Sequence, residues 1–357
     1  MPTEFLSNFD YNSTVDDVDY TVSGFTDICM KAGVRQLARY FLPPLYWLVF
    51  VVGTLGNGLV VIMYWGCTRV KTMTDMFLLN LAIADLLFLF TLPFWAIDAS
   101  SQWKFGTSMC KVVNATYKMN FYSYMLLIMC ISIDRYIVIA QAMKAHRWRQ
   151  KCLLYSKTVC SAIWVMALTL CIPECLYSQS KTQSDNTICT MVYPSVELKA
   201  ILSMLRFILG FFLPLTVMTG CYTIVIYTLV QAKKSSKHRA LKVTVLVLIV
   251  FVLSQFPYNI IILVQTIDAY KMFIVDCDIS TYIDICFQVT QTIAYFHSCL
   301  NPVLYVFVGK KFRQDLVKTL RKLGCISQAQ WVSFSRREGS PGLSSMMVET
   351  TSGPLSF

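Results

Sequence analysis

Seven stretches of this chain are almost purely apolar, over residues 42–66, 76–97, 108–140, 153–176, 198–230, 241–267 and 280–307. Each is long enough to cross a hydrocarbon core, which takes about 20 helical residues. The pattern predicts an all-α membrane protein: a seven-transmembrane helix bundle over 42–307 with an extracellular N-terminal arm over 1–41. After the last run the period changes. Phe312, Leu316, Leu320 and Leu323 recur near helical spacing among Lys310, Lys311, Arg313, Lys318, Arg321 and Lys322, which predicts an amphipathic helix on the membrane surface over 308–324. Residues 325–357 read as a cytoplasmic regulatory tail, with Cys325 as a palmitoylation candidate.

Composition agrees with lipid as the solvent, since 56% of residues are hydrophobic and 14% charged. The first residues carry Glu4 and Asp10 and no basic segment ahead of a short apolar core, so the first helix is expected to act as its own insertion signal. The short loops give the orientation. Arg69, Lys71, Lys144, Arg147, Arg149, Lys151, Lys233, Lys234, Lys237, Arg239 and Lys242 fall on one side, against Lys104, Lys181, Lys199 and Lys271 on the other. The N-terminus is therefore predicted outside and the tail inside. On that map the total charge of +11 divides into an acidic outer face and a strongly basic inner one. Basic inner loops follow from topology and from attraction to anionic membrane lipid; a nucleic-acid binder would carry the same total on a different map.

The outer acidity needs another reason, and most of it lies in the arm. Asp10-Tyr11 and Asp16-Asp17-Val18-Asp19-Tyr20 alternate carboxylates with rings in a segment too poor in apolar residues to pack by itself. A charged terminus is commonly a mere solvated leader. Tyrosines beside carboxylates on a luminal segment are also sulfation candidates, and either form would steer a basic partner inward. Asn12-Ser13-Thr14 is a glycosylation sequon on the same arm, and a second, Asn114-Ala115-Thr116, falls inside the third run. Cys29, Cys110, Cys189 and Cys277 occupy outer, oxidising positions, where four cysteines allow three pairings. A Cys110–Cys189 bond would draw the longest outer loop over the bundle mouth, and a Cys29–Cys277 bond would close the ring of helices.

Polar residues inside the runs are few. Asp85 sits mid-membrane, where a carboxylate is costly without partners or a cation; Asn57 and the Asn301-Pro302-Val303-Leu304-Tyr305 segment offer amides and a hydroxyl to it. Pro93, Pro173, Pro214, Pro257 and Pro302 free backbone carbonyls and bend helices. Asp134-Arg135-Tyr136 places a charge pair where the third run meets a basic loop, a candidate switch.

Asn57, Asp85, Asp134-Arg135-Tyr136, Trp164, Pro214, Pro257 and Asn301-Pro302-Val303-Leu304-Tyr305, one per run and in order, resemble the signature of rhodopsin-like (class A) G-protein-coupled receptors. Thr91-Leu92-Pro93-Phe94-Trp95, Trp103-Lys104-Phe105-Gly106, the paired outer cysteines and His297-Ser298-Cys299-Leu300-Asn301-Pro302 resemble the chemokine-receptor branch. The resemblance implies a cell-surface receptor for a basic C-C chemokine. Its arm, with Tyr11, Asp16, Asp17, Asp19 and Tyr20, would grip the chemokine body. Tyr46, Trp95, Tyr117, Tyr258, Gln288, Gln291 and Tyr295 would line the pocket that its N-terminus enters. Many relatives carry glutamate where Gln291 stands, so an amine would have to find Asp98, Asp268, Asp278, Asp284 or an aromatic face. The competing reading of these rings is packing at the headgroup level.

The resemblance also implies signalling through a heterotrimeric G protein, of the Gi class, to calcium mobilisation and cell migration, with arrestin and receptor kinases acting on the Ser/Thr-rich tail. Arg135, held at rest by Asp134, would be released as the sixth helix turns about Pro257, with Tyr222 and Tyr305 bracing the open form. Two departures bear on this: Gln255 replaces a tryptophan expected in Ser254-Gln255-Phe256-Pro257, and Tyr124 replaces a small residue expected beside a sodium ion at Asp85. The alternatives are a non-signalling chemokine scavenger of the same fold and, further off, a transporter or channel. A light receptor would need a lysine in 280–307, which has none. No enzyme is expected and no cofactor, since His146, His238 and His297 lie in separate segments without triad or metal-ligand spacing.

Overall fold

A computed structural model describes residues 32–67, 70, 72–140, 152–183, 186–231, 235–271, 276–308, 310–322, 324–328, 330 and 333. The chain runs through α1 (Ala32–Ile62, continued by a π-helical turn Met63–Cys67), α2 (Met73–Leu89), α3 (Leu92–Ser100), α4 (Gly106–Ala140), α5 (Cys152–Leu170) and α6 (Ile172–Tyr177). A hairpin of β1 (Ser178–Gln183) and β2 (Asn186–Met191) follows. Then come α7 (Val196–Phe207), a π-helical turn Ile208–Phe212, α8 (Leu213–Gln231), α9 (Ser235–Lys271), α10 (Cys277–Tyr295), α11 (His297–Val308) and α12 (Lys310–Lys322). The seven apolar runs thus become α1, α2–α3, α4, α5–α6, α7–α8, α9 and α10–α11. Among the described residues, five of these spans are long and apolar enough to cross a membrane.

The first span starts at Ala32, ten residues before the apolar run expected at 42, and holds Pro43 and Pro44 inside it. Arg39 Nε donates to Ser100 O at 2.7 Å, so the outer extension is fastened to the end of α3. The prolines divide into two kinds. Pro93 and Pro173 each open a new helix after a real interruption, at Phe90–Thr91 and at Cys171, and Pro214 follows the π-helical turn. Pro257 and Pro302 lie within continuous helix, and the seventh span is interrupted at Phe296 instead. Local chemistry fixes other ends. Thr72 and Asp75 form a reciprocal cap on α2, each side chain accepting the other's backbone N–H at 3.1 Å. Asp276 Oδ1 caps α10 through the amides of Asp278 and Ile279.

The third span is the centre of the bundle, packed on the second, fourth and fifth. Two apolar clusters divide it along its length. The outer one joins Tyr46, Phe88, Leu89, Trp95, Trp103, Tyr117 and Tyr295; the inner one joins Phe77, Phe121, Met125, Ile163, Met218 and Tyr222. Close approach of the helices depends on small residues: a Cβ on Gly53 would lie 2.6 Å from Leu89 Cδ2. Meanwhile Leu55, Trp65, Leu154 and Val230 are fully turned outward, as expected where the surrounding solvent is hydrocarbon. At the inner end, Leu316 of α12 packs on the cluster of Val60, Met63 and Tyr64.

Candidate functional sites: an outer pocket and an inner clasp

Cys110, at the start of the third span, is bonded to Cys189 of β2, and Asn114 Nδ2 points at the bridge, 3.3 Å from Cys189 Sγ. The sequon at Asn114 is therefore buried against a disulfide. β1 and β2 pair antiparallel with Ser180 opposite Cys189, and Trp103 N donates to Thr187 O at 2.8 Å. The hairpin is thus held to the bundle by a covalent bond and by the first outer loop. Cys277 is also disulfide-bonded; Cys29 lies outside the described residues, as do Tyr11, Asn12, Asp16, Asp17, Asp19 and Tyr20 of the arm.

Beneath the hairpin, all seven residues expected to line the pocket are buried: Tyr46, Trp95, Tyr117, Tyr258, Gln288, Gln291 and Tyr295. They face the bundle interior, which is not where headgroup-level packing would put them. Tyr117 and Tyr258 meet hydroxyl to hydroxyl at 3.1 Å, Gln291 Nε2 donates to Tyr295 OH at 3.0 Å, and the Tyr295 ring lies 5.9 Å from Tyr46 and 5.6 Å from Tyr117. The hydroxyl of Tyr46, the indole N–H of Trp95 and the carbonyl oxygen of Gln291 are buried with no hydrogen-bond partner among the described residues. Buried polar atoms are normally paired, so this cage is suited to a guest that supplies the missing partners. Of the carboxylates considered for an amine, Asp98 and Asp284 are buried in α3 and α10, Asp268 is half-buried, and Asp278 is exposed.

Two cations lie nearby, Lys118 buried and Arg206 half-buried, and neither drew notice in the sequence. Lys118 pairs with Glu174 at 3.3 Å. Arg206 lies against rings, with its guanidinium carbon 5.0 Å from the Phe121 centroid and 5.5 Å from that of Tyr258, whose hydroxyl accepts from Nη2.

Halfway down, Asp85 is fully buried. Asn301 Nδ2 donates to its Oδ2 at 2.8 Å, Asn120 Nδ2 to its Oδ1 at 3.3 Å, and His297 Nε2 is 3.8 Å away. Asn57, expected at Asp85, turns away to the backbone carbonyls of Ser298 and Gly53, at 2.8 and 3.0 Å; Pro302, four residues after Ser298, has no N–H to give that carbonyl. The Tyr124 ring lies 4.1 Å from that of His297. A sodium ion needs several oxygen ligands; Asn301 and Asn120 present N–H to Asp85, the Ser298 hydroxyl is the one neutral oxygen among its described hydrogen-bond partners, and a phenol ring fills the flank, so these residues do not fit one. Gln255 replaces the expected tryptophan with a polar link: its Nε2 donates to Ala294 O at 3.3 Å, the carbonyl that also accepts from His297 Nδ1. Pro257 lies two residues further out, exposed on α9.

At the inner end, Asp134 Oδ2 is 3.5 Å from Arg135 Nη2. Thr74 of α2 completes the arrangement: its hydroxyl donates to Asp134 Oδ2 at 2.6 Å and accepts from Arg135 Nη2. The sequence suggested the ion pair but not this third member, which belongs to the first turn of another helix. Tyr136 is half-buried next to them. Tyr222 OH accepts from Ser132 Oγ at 3.0 Å, one turn outward of Arg135. Asn301 and Pro302 are buried, and the side chain of Tyr305 lies outside the described residues. Trp164 Nε1 donates to Asn80 Oδ1 at 2.9 Å, joining the fourth span to the second.

Residues 56–305 match the family described as 7 transmembrane receptor (rhodopsin family). Over its whole length the chain is 70% identical to human C-C chemokine receptor type 9, itself covered completely, and 68% identical to the mouse protein of that name, also over both full lengths. Human C-C chemokine receptor type 7 is 44% identical over 91% of this chain and 86% of its own. Human atypical chemokine receptor 4 is 40% identical over 85% of this chain and 86% of its own. The chain therefore belongs to the rhodopsin family of seven-transmembrane receptors and, within it, to the chemokine receptors, which are not enzymes.

Proposed function

We propose that this protein is a plasma-membrane receptor, N-terminus outside, that binds a basic C-C chemokine and passes the event to a heterotrimeric G protein of the Gi class. Likeness to the type 9 receptors makes thymus-expressed chemokine the first ligand to test. The acidic arm would hold the chemokine body, and its N-terminus would descend past the hairpin into the cage of Tyr46, Trp95, Tyr117, Tyr258, Gln288, Gln291 and Tyr295. Binding that favours an outward-turned sixth span shifts a two-state equilibrium. Its inner consequence is release of Arg135 from Asp134 and Thr74, leaving the guanidinium for the G protein. Calcium mobilisation and cell migration follow, and phosphorylation of the tail by receptor kinases would recruit arrestin.

The observation that carries this reading is the intact clasp of Thr74, Asp134 and Arg135 beneath a buried, under-bonded aromatic pocket. A scavenger would share the pocket but has no use for a releasable arginine, so the clasp favours the signalling reading. Screening a chemokine panel for nucleotide exchange on purified Gi tests the assignment. Arg135→Ala should keep chemokine binding while exchange falls to background. Binding without exchange in the unmodified receptor would instead mean a scavenger.

A further inference from the structure

Arg206 and Lys118 are both cations in the outer half, Lys118 buried and Arg206 half-buried, and their surroundings differ. Lys118 has a carboxylate at 3.3 Å. Among the described residues none pairs with Arg206: one terminal nitrogen, Nη2, donates to Tyr258 OH at 3.3 Å, while Nε is buried without any partner. The rings of Phe121 and Tyr258 offer their faces to the charge, which offsets part of the desolvation but supplies no acceptor for the in-plane N–H groups. A guanidinium whose Nε is buried without an acceptor is a costly arrangement unless an anion completes it.

Arg206 lies where the fifth and sixth spans meet, together with Ser203, Phe207, Asn259, Ile262, Leu263 and Thr266. Apart from Arg206 these side chains are neutral. Tyr258 belongs to the aromatic cage and touches Tyr117, and Arg206 donates to its hydroxyl, so the guanidinium adjoins the pocket. The outer mouth is therefore two-sided, with the buried carboxylates Asp98 and Asp284 in α3 and α10 and a lone guanidinium between the fifth and sixth spans.

Building on the chemokine reading above, we propose that Arg206 is a ligand-binding residue that receives a carboxylate, an Asp or Glu side chain carried by the part of the chemokine that enters the bundle. The planar fork of Arg206 pairs with both carboxylate oxygens through Nε and a terminal nitrogen, the geometry a guanidinium fits best. Net basic charge draws the chemokine to the acidic face, whereas this local pairing selects among basic ligands. Because Tyr258 is on the sixth span one residue after Pro257, occupation of the subsite also acts directly on the moving helix.

The test uses full-length receptor in lipid nanodiscs with Gi and thymus-expressed chemokine. Each chemokine residue ahead of the first cysteine is changed in turn to Ala, Glu and Lys. Receptors are the unmodified protein, Arg206→Gln, Arg206→Lys and Arg206→Glu, each checked for surface expression and thermal stability. For the unmodified receptor, one position should favour Glu over Lys by tenfold or more in potency. Arg206→Gln should remove that preference, Arg206→Lys should keep part of it, and Arg206→Glu should invert it, so that the Lys ligand recovers. Equal loss for every ligand variant, without any inversion, would make Arg206 a packing residue on Phe121 and Tyr258 and overturn the proposal. Should the variants fail to fold, the unmodified receptor still decides, since indifference to charge at every position also overturns it. Silence of the unmodified receptor toward all chemokines would instead remove the parent reading, and this one with it.

Discussion

Arg135 is restrained by two oxygens from different helices, and the neutral one is the more informative. Thr74 hydrogen-bonds both members of the ion pair, so loss of its hydroxyl weakens Asp134 and Arg135 together. The pair is partly exposed, Arg135 by 30%, which screens the Coulomb contribution; the hydrogen bonds are worth about 1 kcal/mol in sum, or roughly fivefold in a two-state equilibrium. Thr74→Val should therefore raise ligand-independent nucleotide exchange by roughly fivefold. Basal exchange at the unmodified level would show that the clasp does not set the resting population. Asp134 and Arg135 were legible from sequence because charges at the end of an apolar run stand out. Thr74 was not, since hydroxyls are common at helix starts and nothing in the chain says which residue 60 positions away one will meet.

Between elements, the seam of the sixth and seventh spans is held by polar contacts. Gln255 and His297 both donate to Ala294 O, and His297 approaches Asp85, so a polar chain leads from beside Pro257 to the middle of the bundle. Gln255→Leu would remove one of the two donors to that carbonyl, a cost of about 1 kcal/mol. Loss of the bridge in the resting arrangement should raise basal exchange, an outcome readable in the same nucleotide assay; lower or unchanged basal exchange would refute a restraining role. Since N–H groups and Tyr124 surround Asp85, replacing sodium by an organic cation should leave agonist affinity unchanged, and a clear sodium dependence would contradict this. The third and fifth spans meet over Gly210, where a Cβ would lie 2.4 Å from Phe121 Cε1. Gly210→Ala must displace that ring and is expected to cost about 1–3 kcal/mol, seen as a lower Tm of the purified receptor.

On the scale of the whole molecule, the charge map governs encounter. With the arm and outer loops acidic and the expected ligand basic, association should slow steeply as ionic strength rises, while dissociation changes less. Replacing Asp16, Asp17 and Asp19 by Asn should lower the association rate and flatten its salt dependence, measurable by surface plasmon resonance on nanodiscs. An unaltered salt slope would mean that the arm does not steer. The positions of the seven spans follow from bilayer thickness, which is why sequence runs and helices agree within a few residues in most cases. The first span and the β1–β2 hairpin did not follow that rule. A helix leaving the membrane loses its apolar signature, and the hairpin strands are polar, fixed by Cys110–Cys189 and by Trp103.

The sequence by itself determined the solvent, the number of crossings, the sided charge, the family signature and the candidate switch, because each is written in local composition or in residues at the ends of apolar runs. Which polar groups meet was decided only by tertiary structure. Asn57 turned to backbone while Asn120 and His297 took its expected place at Asp85; the seventh span broke at Phe296 and not at Pro302; Arg206 came to rest among rings without a carboxylate. In a bilayer the hydrophobic pattern specifies where a helix crosses but says little about its rotation toward its neighbours. That rotation comes from packing and from the few hydrogen bonds the interior allows.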